Sequence, residues 1–188
     1  MRYQYDDGGR TVAGFTGVAG DCTVRALAIA TQKPYREVYA AINAIAAEHE
    51  RRGKRKRGIS SARNGVYANT VRRYLDSIGW QWTPTMFIGS GCTVHLHDGE
   101  LPTGRLIVSI SKHLTCIIDG VIHDTYDPQR ETLIIENGVQ RIAHRCVYGY
   151  WQKKIATELG GDPGNEENRN EVQPNSARKH TTHQMSMW

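Results

Sequence analysis

The sequence predicts an α+β fold, in which helices come first and an antiparallel sheet follows. Apolar residues recur at helical spacing up to about residue 78. From Trp80 onward, β-branched and aromatic residues dominate short segments that are separated by Asp-Gly and Asn-Gly pairs. Because the helical and strand patterns occupy separate parts of the chain, we expect the helices to pack on the sheet.

Three helices are predicted in the first part of the chain. Residues 1–19 are rich in glycine and polar residues, which favours an extended or looping lead-in. The first helix, at about 21–31, is apolar on nearly every side and should be central, with its acidic first residue as N-cap. Proline suits the first turn of a second helix, at about 34–49. The third helix is predicted at about 65–78, and Gly79 should end it.

In the second part of the chain, the sequence predicts the strands of the antiparallel sheet. The pairs Asp119-Gly120 and Asn137-Gly138 are strong signals of two-residue hairpins. The predicted strands lie at about 81–88, 106–110, 114–118, 121–126, 132–135 and 139–151.

Length and composition indicate one domain with a polar tail. We expect a single domain over residues 1–156 of the 188. Residues 157–188 have almost nothing to bury and should be disordered. No apolar run approaches the ~20 residues needed to span a bilayer, and no export signal is recognisable. A soluble protein without membrane contact is therefore expected.

The four cysteines, which are scattered without CxxC pairs, predict reduced thiols in a reducing compartment. Cys116 and Cys146 are expected to be structural. Cys92 stands close to His95 and His97, but on a strand the two histidines would share a face that the cysteine does not. We therefore expect surface histidines beside a turn, and neither a metal nor a cofactor.

Much of the net charge of +5 is concentrated in one run at 51–57. Such a run can bind phosphates through counterion release. A solvated loop between two helices is the simpler interpretation, because no aromatic side chains are interleaved to stack on bases. The candidate contacts to nucleic acid or another acidic partner are Arg51, Arg52, Lys54, Arg55, Lys56 and Arg57.

Cys22 stands at the start of the first predicted helix, in the segment GDCTVRALAIA. A thiol at this position meets the positive end of the helix dipole and free N–H groups, which favour the thiolate. Those N–H groups can also stabilise an oxyanion when the thiolate attacks a carbonyl. The alternative is a small residue in the core, and the choice depends on whether a base lies near.

The segment 111–127, SKHLTCIIDGVIHDTYD, supplies a candidate base and acid. A hairpin closed by its Asp-Gly pair sets Thr115 opposite Asp124, with His113 on the same face as Thr115. Asp124 is then diagonal to His113 and within about 7–8 Å at the backbone, close enough for a carboxylate to orient an imidazole. Asp127 falls on the opposite face unless a bulge reverses the choice.

This order, a Cys at a helix start, a His opening a strand and an Asp on the neighbouring strand, resembles the papain-like cysteine peptidase superfamily. Its bacterial and phage-associated members have a short helical half and a β half. The segment GDCTVRALA is also similar to the nucleophile segment of ovarian-tumour-type deubiquitinases. The resemblance covers the layout of about residues 16–126 and implies a papain-like fold. It implies Cys22 as nucleophile, His113 as general base and acid, and Asp124 as the third member of a triad.

The papain pattern has a Gln a few residues before the nucleophile, as an oxyanion-hole donor. The corresponding segment, FTGVAGD, has none. The deubiquitinase-like pattern implies backbone N–H groups of Cys22 and of the loop before it, and the candidate residues are Thr16, Gly20 and Asp21. Alternatively, Gln4 folds back to donate.

The resemblance implies a thiol-dependent acyl-transfer hydrolase, a cysteine peptidase or isopeptidase acting on a protein or peptide. A cytoplasmic location, in a bacterial host or as a phage-encoded protein, is expected. The alternative is a non-catalytic papain-like module that binds nucleic acid or an acidic partner through 51–57. A transferase that uses an amine in place of water also remains open.

Overall fold

The computed structural model describes residues 1–50, 58–136 and 138–154 of the chain. Both the basic run 51–57 and the predicted tail 157–188 lie outside the described residues. Within them the fold is α+β, with three helices, a mixed six-stranded sheet and a small two-stranded sheet. The helices are α1 (Cys22–Thr31), α2 (Tyr35–His49) and α3 (Ala68–Ser77). The strands are β1 (Arg2–Tyr5), β2 (Trp80–Pro84), β3 (Arg105–Ile110), β4 (His113–Ile118), β5 (Val121–Asp124), β6 (Glu131–Glu136), β7 (Val139–His144) and β8 (Val147–Lys153).

The three predicted helices are confirmed, with small differences at their ends. Pro34 is the N-cap of α2, where its missing N–H leaves no helical hydrogen bond unmade. The third helix begins at Ala68, three residues later than predicted, after an isolated bridge between Ser61 and Gly65. Gly79 follows α3 with a φ of 78°, the left-handed conformation that glycine adopts without strain.

The six-stranded sheet has the order β1-β5-β4-β3-β8-β2. Its last five strands pair antiparallel, as predicted. The expectation of a wholly antiparallel sheet is wrong, however, because β1 pairs parallel with β5. The lead-in 1–19 is therefore not merely a loop: residues Arg2–Tyr5 form an edge strand beside the one that ends at Asp124.

The Asp119-Gly120 hairpin is confirmed. The φ angles of Asp119 and Gly120 are 47° and 78°, which is the pair of positive values that a type I′ turn requires. The turn joins β4 and β5 so that Ile118 faces Val121 and Ile117 faces Ile122. The register of the predicted catalytic pair follows directly from this turn.

Helix α1 packs against β3, β4 and β5 on one face of the sheet. Its apolar residues Val24 and Leu27 belong to a core cluster with Leu114 and Cys116 of β4. A second cluster, which contains Ile117 and Ile122, lies on the other face. Burial on every side explains why the sequence of α1 shows so little amphipathic pattern.

The predicted strand 139–151 divides into β7 and β8. Strand β7 pairs with β6 in a separate two-stranded sheet, while β8 crosses the main sheet between β3 and β2. Two-stranded sheets bury little, and Leu133 and Ile135 of β6 are accordingly exposed.

The expectation that all four cysteines are reduced is wrong for two of them, because Cys92 and Cys146 form a disulfide with their Cα atoms 5.8 Å apart. His95 forms an isolated bridge with Cys146, which brings the two distant segments together. Cys22 and Cys116 are free. The disulfide removes the argument from reduced thiols for a cytoplasmic location, which stays a prediction.

None of the helices within the described residues is long and apolar enough to cross a membrane.

Candidate active site

Cys22 is the first residue of α1, where the helix meets the sheet. Its side chain is partly exposed, whereas the other free thiol, Cys116, is fully buried. The first turn of a helix has N–H groups without an intrahelical acceptor. The Cys22 thiol therefore combines access to solvent with a positive local field, the environment of a reactive cysteine.

His113 is the first residue of β4 and lies beside Cys22. Its Nε2 is 2.7 Å from Oδ2 of Asp124, and both side chains are buried. The Cys22 side chain lies close enough for the two groups to shift each other's pKa. Because Asp124 occupies Nε2, the nitrogen left for the Cys22 sulfur is Nδ1. The three predicted residues therefore lie together, with His113 between Cys22 and the Asp124 carboxylate.

Asp124 ends β5 on the face that the hairpin register predicts. Continuing the β4–β5 pairing by one residue sets it opposite Thr115. Its Oδ1 accepts a hydrogen bond from the backbone N–H of Thr125 at 2.7 Å. Its backbone carbonyl accepts from the N–H of Asp6 at 2.8 Å and from the Tyr3 hydroxyl at 3.3 Å. The carboxylate is therefore held on both oxygens, and the lead-in segment fixes its backbone.

The local electrostatics favour a thiolate facing an imidazolium. Burial by itself would raise the pKa of Cys22, but the hydrogen bond and charge of His113 outweigh it, with help from the Leu114 N–H and Arg25. The pKa of Cys22 is therefore below its ordinary value. Burial opposes the charged form of His113, yet hydrogen bonds to Asp124 and Cys22 raise its pKa to about 9. By contrast, burial raises the pKa of Cys116, which favours an inert thiol.

The ring of Tyr126 packs against His113, a contact that the sequence does not predict. The two ring centroids are 5.0 Å apart at an interplanar angle of 43°. Since the Asp124 hydrogen bond fixes one ring nitrogen, this face contact restricts the remaining rotation of the imidazole. The only signal in the sequence was that the hairpin register sets Tyr126 across from His113.

Asp21 is placed at the N-cap of α1 as predicted, but its side chain makes no capping hydrogen bond. Its fully buried carboxylate instead contacts Arg10 Nε at 2.8 Å, Arg25 Nη1 at 3.1 Å and the Tyr35 hydroxyl at 2.5 Å. Three strong donors outcompete the backbone N–H groups of the helix. As the carboxylate can only accept, the backbone N–H of Asp21 is the group left for an oxyanion.

The loop before Cys22 is held by two arginines. Arg10 Nη2 donates to the carbonyls of Thr16 at 3.0 Å and Gly17 at 2.8 Å, and Arg63 Nη2 donates to that of Val18 at 3.2 Å. These contacts fix the backbone from which the predicted oxyanion donors would come. The oxyanion roles of Thr16, Gly20 and Asp21 stay predictions.

Gly20 is exposed, and a Cβ there would lie 3.4 Å from the Asn64 carbonyl oxygen.

Gln4 lies within β1 and is paired with His123 of β5. This strand pairing argues against the alternative in which the N-terminal segment folds back to place Gln4 beside the nucleophile.

The other sequence candidates do not join this site. His95 Nδ1 contacts Glu100 Oε2 at 3.1 Å, and the ring of His97 packs on His144 at 4.2 Å. Within the described residues, no group of three or more His, Cys, Asp or Glu side chains is placed to hold a metal ion. Asp127 contacts Gln129 rather than His113, so the predicted preference for Asp124 agrees with the contacts.

Comparison of the chain with protein-family models, with curated proteins and with solved structures finds no match.

Proposed function

We propose that this protein is a thiol-dependent acyl-transfer hydrolase of the cysteine peptidase or isopeptidase class, with a papain-like arrangement of its helices and sheet. The observation that carries the proposal is the arrangement of Cys22, His113 and Asp124: His113 is hydrogen-bonded to Asp124 and lowers the pKa of the thiol at the start of α1. A nucleophile, a base in hydrogen-bond reach and a group that orients the base are the parts that covalent acyl transfer requires.

Each residue has one role in the reaction. The Cys22 thiolate attacks the carbonyl carbon of the substrate, and the electron pair of the C=O double bond moves to oxygen. The first-turn N–H groups of α1 stabilise this oxyanion. When it collapses, the C–N bond breaks, and the leaving nitrogen takes the proton from the His113 imidazolium.

Hydrolysis of the acyl-enzyme reverses these roles. His113, now neutral, accepts a proton from water while the hydroxide adds to the thioester carbonyl. The C–S bond then breaks, the carboxylic acid leaves, and the thiolate and imidazolium form again. Asp124 is not protonated at any step; it orients the ring and stabilises its positive charge.

The binding module that the sequence also suggested depends on residues 51–57, which lie outside the described residues. Only the catalytic hypothesis therefore has described contacts behind it.

The first test is selective alkylation followed by peptide mapping. At about pH 7, iodoacetamide should alkylate Cys22 faster than Cys116, since the first thiol is partly exposed with a lowered pKa and the second is buried with a raised one. Cys116→Ser is the matched control and should leave the Cys22 rate unchanged. Faster labelling of Cys116 would contradict the proposal.

The second test is turnover of an activated acyl donor, the p-nitrophenyl ester of N-acetylglycine. Wild type and Cys116→Ser should release a burst of p-nitrophenol and then turn over, with an acyl group found transiently on Cys22. Cys22→Ser should lose both phases, because an alkoxide is not available near neutral pH. Equal turnover by Cys22→Ser, or an acyl-enzyme that water never clears, would reject the hydrolase.

A further inference from the structure

A cleft of about 610 Å³ opens beside His113. It is lined by residues 111–113, by residues 126–130 and by Arg145. Cys22 does not line it. The cleft therefore adjoins His113, the proposed general base, but is not lined by the nucleophile.

The chemistry of the proposed reaction identifies which end of the substrate enters this cleft. The oxyanion must point to the first-turn N–H groups beside Cys22, whereas the leaving nitrogen must point to the proton on His113. Groups on the far side of His113 consequently meet the leaving half of the substrate. The cleft is the leaving-group side of the site.

Besides His113, three of the side chains that line the cleft are cationic, Lys112, Arg130 and Arg145, against one carboxylate, Asp127. Both oxygens of Asp127 already accept hydrogen bonds from Gln129 Nε2 at 3.1 Å. Within the described parts of the chain, neither Lys112 nor Arg130 has a hydrogen-bond or ion-pair partner, and both are exposed. The cleft therefore presents excess positive charge that no described residue neutralises.

Arg145 forms hydrogen bonds with both chain segments that line the cleft. Its Nη2 donates to the carbonyl of Ser111 at 2.7 Å, and its Nη1 donates to that of Pro128 at 3.1 Å. Half-buried, the guanidinium thus joins the turn before His113 to the loop after Asp124. The site for the leaving group is held in place before any substrate arrives.

Lys112 occupies the second position of the two-residue turn between β3 and β4, with a φ of 55°. Glycine or asparagine fits this left-handed conformation with less strain than lysine does. The chain therefore places a cation next to His113 at a position where backbone geometry alone favours another residue.

We propose that this cleft binds a carboxylate on the leaving-group side of the substrate, so that the enzyme prefers to cleave before an acidic residue or before a C-terminal residue. The inference rests on the proposed function and specifies its substrate class. The carboxylate has two sources, the side chain of Asp or Glu and the α-carboxylate of a chain end.

The first experiment compares alkylation of Cys22 by iodoacetate and iodoacetamide, which have similar size but differ in charge. Lys112→Gln and Arg130→Gln should each lower the ratio of the iodoacetate rate to the iodoacetamide rate by about threefold, because each removes a nearby unit charge. Lys153→Gln is the matched control. Val147, at the start of β8, pairs with Ile110 next to the cleft, and Lys153 lies at the other end of β8, about 20 Å along the strand. This variant should leave the ratio unchanged.

The outcomes separate this inference from the proposed function. If Cys22 reacts with neither reagent, both are overturned. If Cys22 reacts faster than Cys116 but the ratio is the same in wild type, Lys112→Gln and Arg130→Gln, the proposed function stands and the carboxylate site is rejected.

The second experiment identifies the source of the carboxylate. Cys22 is acylated with the p-nitrophenyl ester of N-acetylglycine, and amines compete with water for the acyl group. Glutamic acid α-amide carries a side-chain carboxylate, free glutamine an α-carboxylate, and glutamine α-amide neither; they are compared at equal concentrations of unprotonated amine. One of the two acids should capture about threefold more acyl group than glutamine α-amide. Equal capture by all three amines would overturn the inference.

Discussion

Replacing Asp124 with Asn removes one charge from the group of three residues and, since the amide has a single acceptor oxygen, the hydrogen bond from the Thr125 N–H. The Asn side chain has nearly the same shape and keeps a carbonyl oxygen that accepts the hydrogen bond of His113 Nε2. What disappears is the negative charge 2.7 Å from a buried imidazolium. Asp124→Asn should therefore lower the pKa of His113 without dismantling the site.

The size of the effect follows from the pKa of His113. Its rise from 6.5 to about 9 corresponds to about 3 kcal/mol in favour of the imidazolium. Burial opposes the charge, and of the two favourable partners Asp124 contributes more than Cys22. A charged hydrogen bond exceeds a neutral one by about 1.5–2 kcal/mol, so we expect the pKa of His113 to fall by about 1 to 1.5 pH units.

The assay is an NMR titration of the histidine ring protons. The chain has eight histidines, and the signal of His113 is assigned by its loss in His113→Gln. At about pH 8.5, His113 should be mostly protonated in wild type and mostly neutral in Asp124→Asn. Turnover of an anilide, whose leaving nitrogen needs that proton, should fall up to about tenfold at this pH and little at about pH 6.5.

Asp127→Asn is the matched control, because Asp127 lies close by but contacts Gln129. It should leave the titration of His113 almost unchanged. If Asp124→Asn leaves the pKa of His113 near 9, or if Asp127→Asn lowers it equally, the charge of Asp124 does not raise that pKa.

Three further predictions concern pH and stability. Because the imidazolium is lost as pH rises through the raised pKa of His113, anilide hydrolysis should fall above about pH 9; a rate that keeps rising at higher pH would contradict this. Asp21→Asn leaves Arg10 and Arg25 without their buried partner and should lower the free energy of unfolding by about 3 kcal/mol in urea denaturation, and a loss under about 1 kcal/mol would count against it. Replacing Cys92 and Cys146 together with Ser should lower that free energy by up to about 4 kcal/mol, since the disulfide spans 54 residues; an unchanged melting temperature would show that the disulfide does not constrain the chain.

The parts of the fold that the sequence predicted depend on local signals. The spacing of apolar residues located the three helices, and the Asp119-Gly120 turn set the β4–β5 register. That register selected Asp124 rather than Asp127, because a turn of two residues fixes which side chains lie on the same face of the hairpin. The His113–Asp124 hydrogen-bonded pair could therefore be identified before any tertiary contact was known.

The parts that were missed depend on contacts between distant segments. Strand β1 has four exposed residues without alternation, and its partner β5 lies more than a hundred residues away. The Cys92–Cys146 disulfide is set by proximity in the fold, which no cysteine spacing encodes. The Asp21 side chain does not cap its helix, because its carboxylate binds Arg10 and Tyr35 from distant parts of the chain. Only its ion pair with Arg25, at the i+4 position, could be predicted from the sequence.

The proposed function requires that Cys22 is a thiolate paired with the imidazolium of His113. The most direct measurement is the pH titration of thiolate absorbance in the ultraviolet, taken as the difference between wild type and Cys22→Ser so that Cys116 cancels. We expect a midpoint below the ordinary cysteine value of 9.0 and its return toward that value in His113→Gln. A midpoint at or above 9.0 in wild type would contradict the claim.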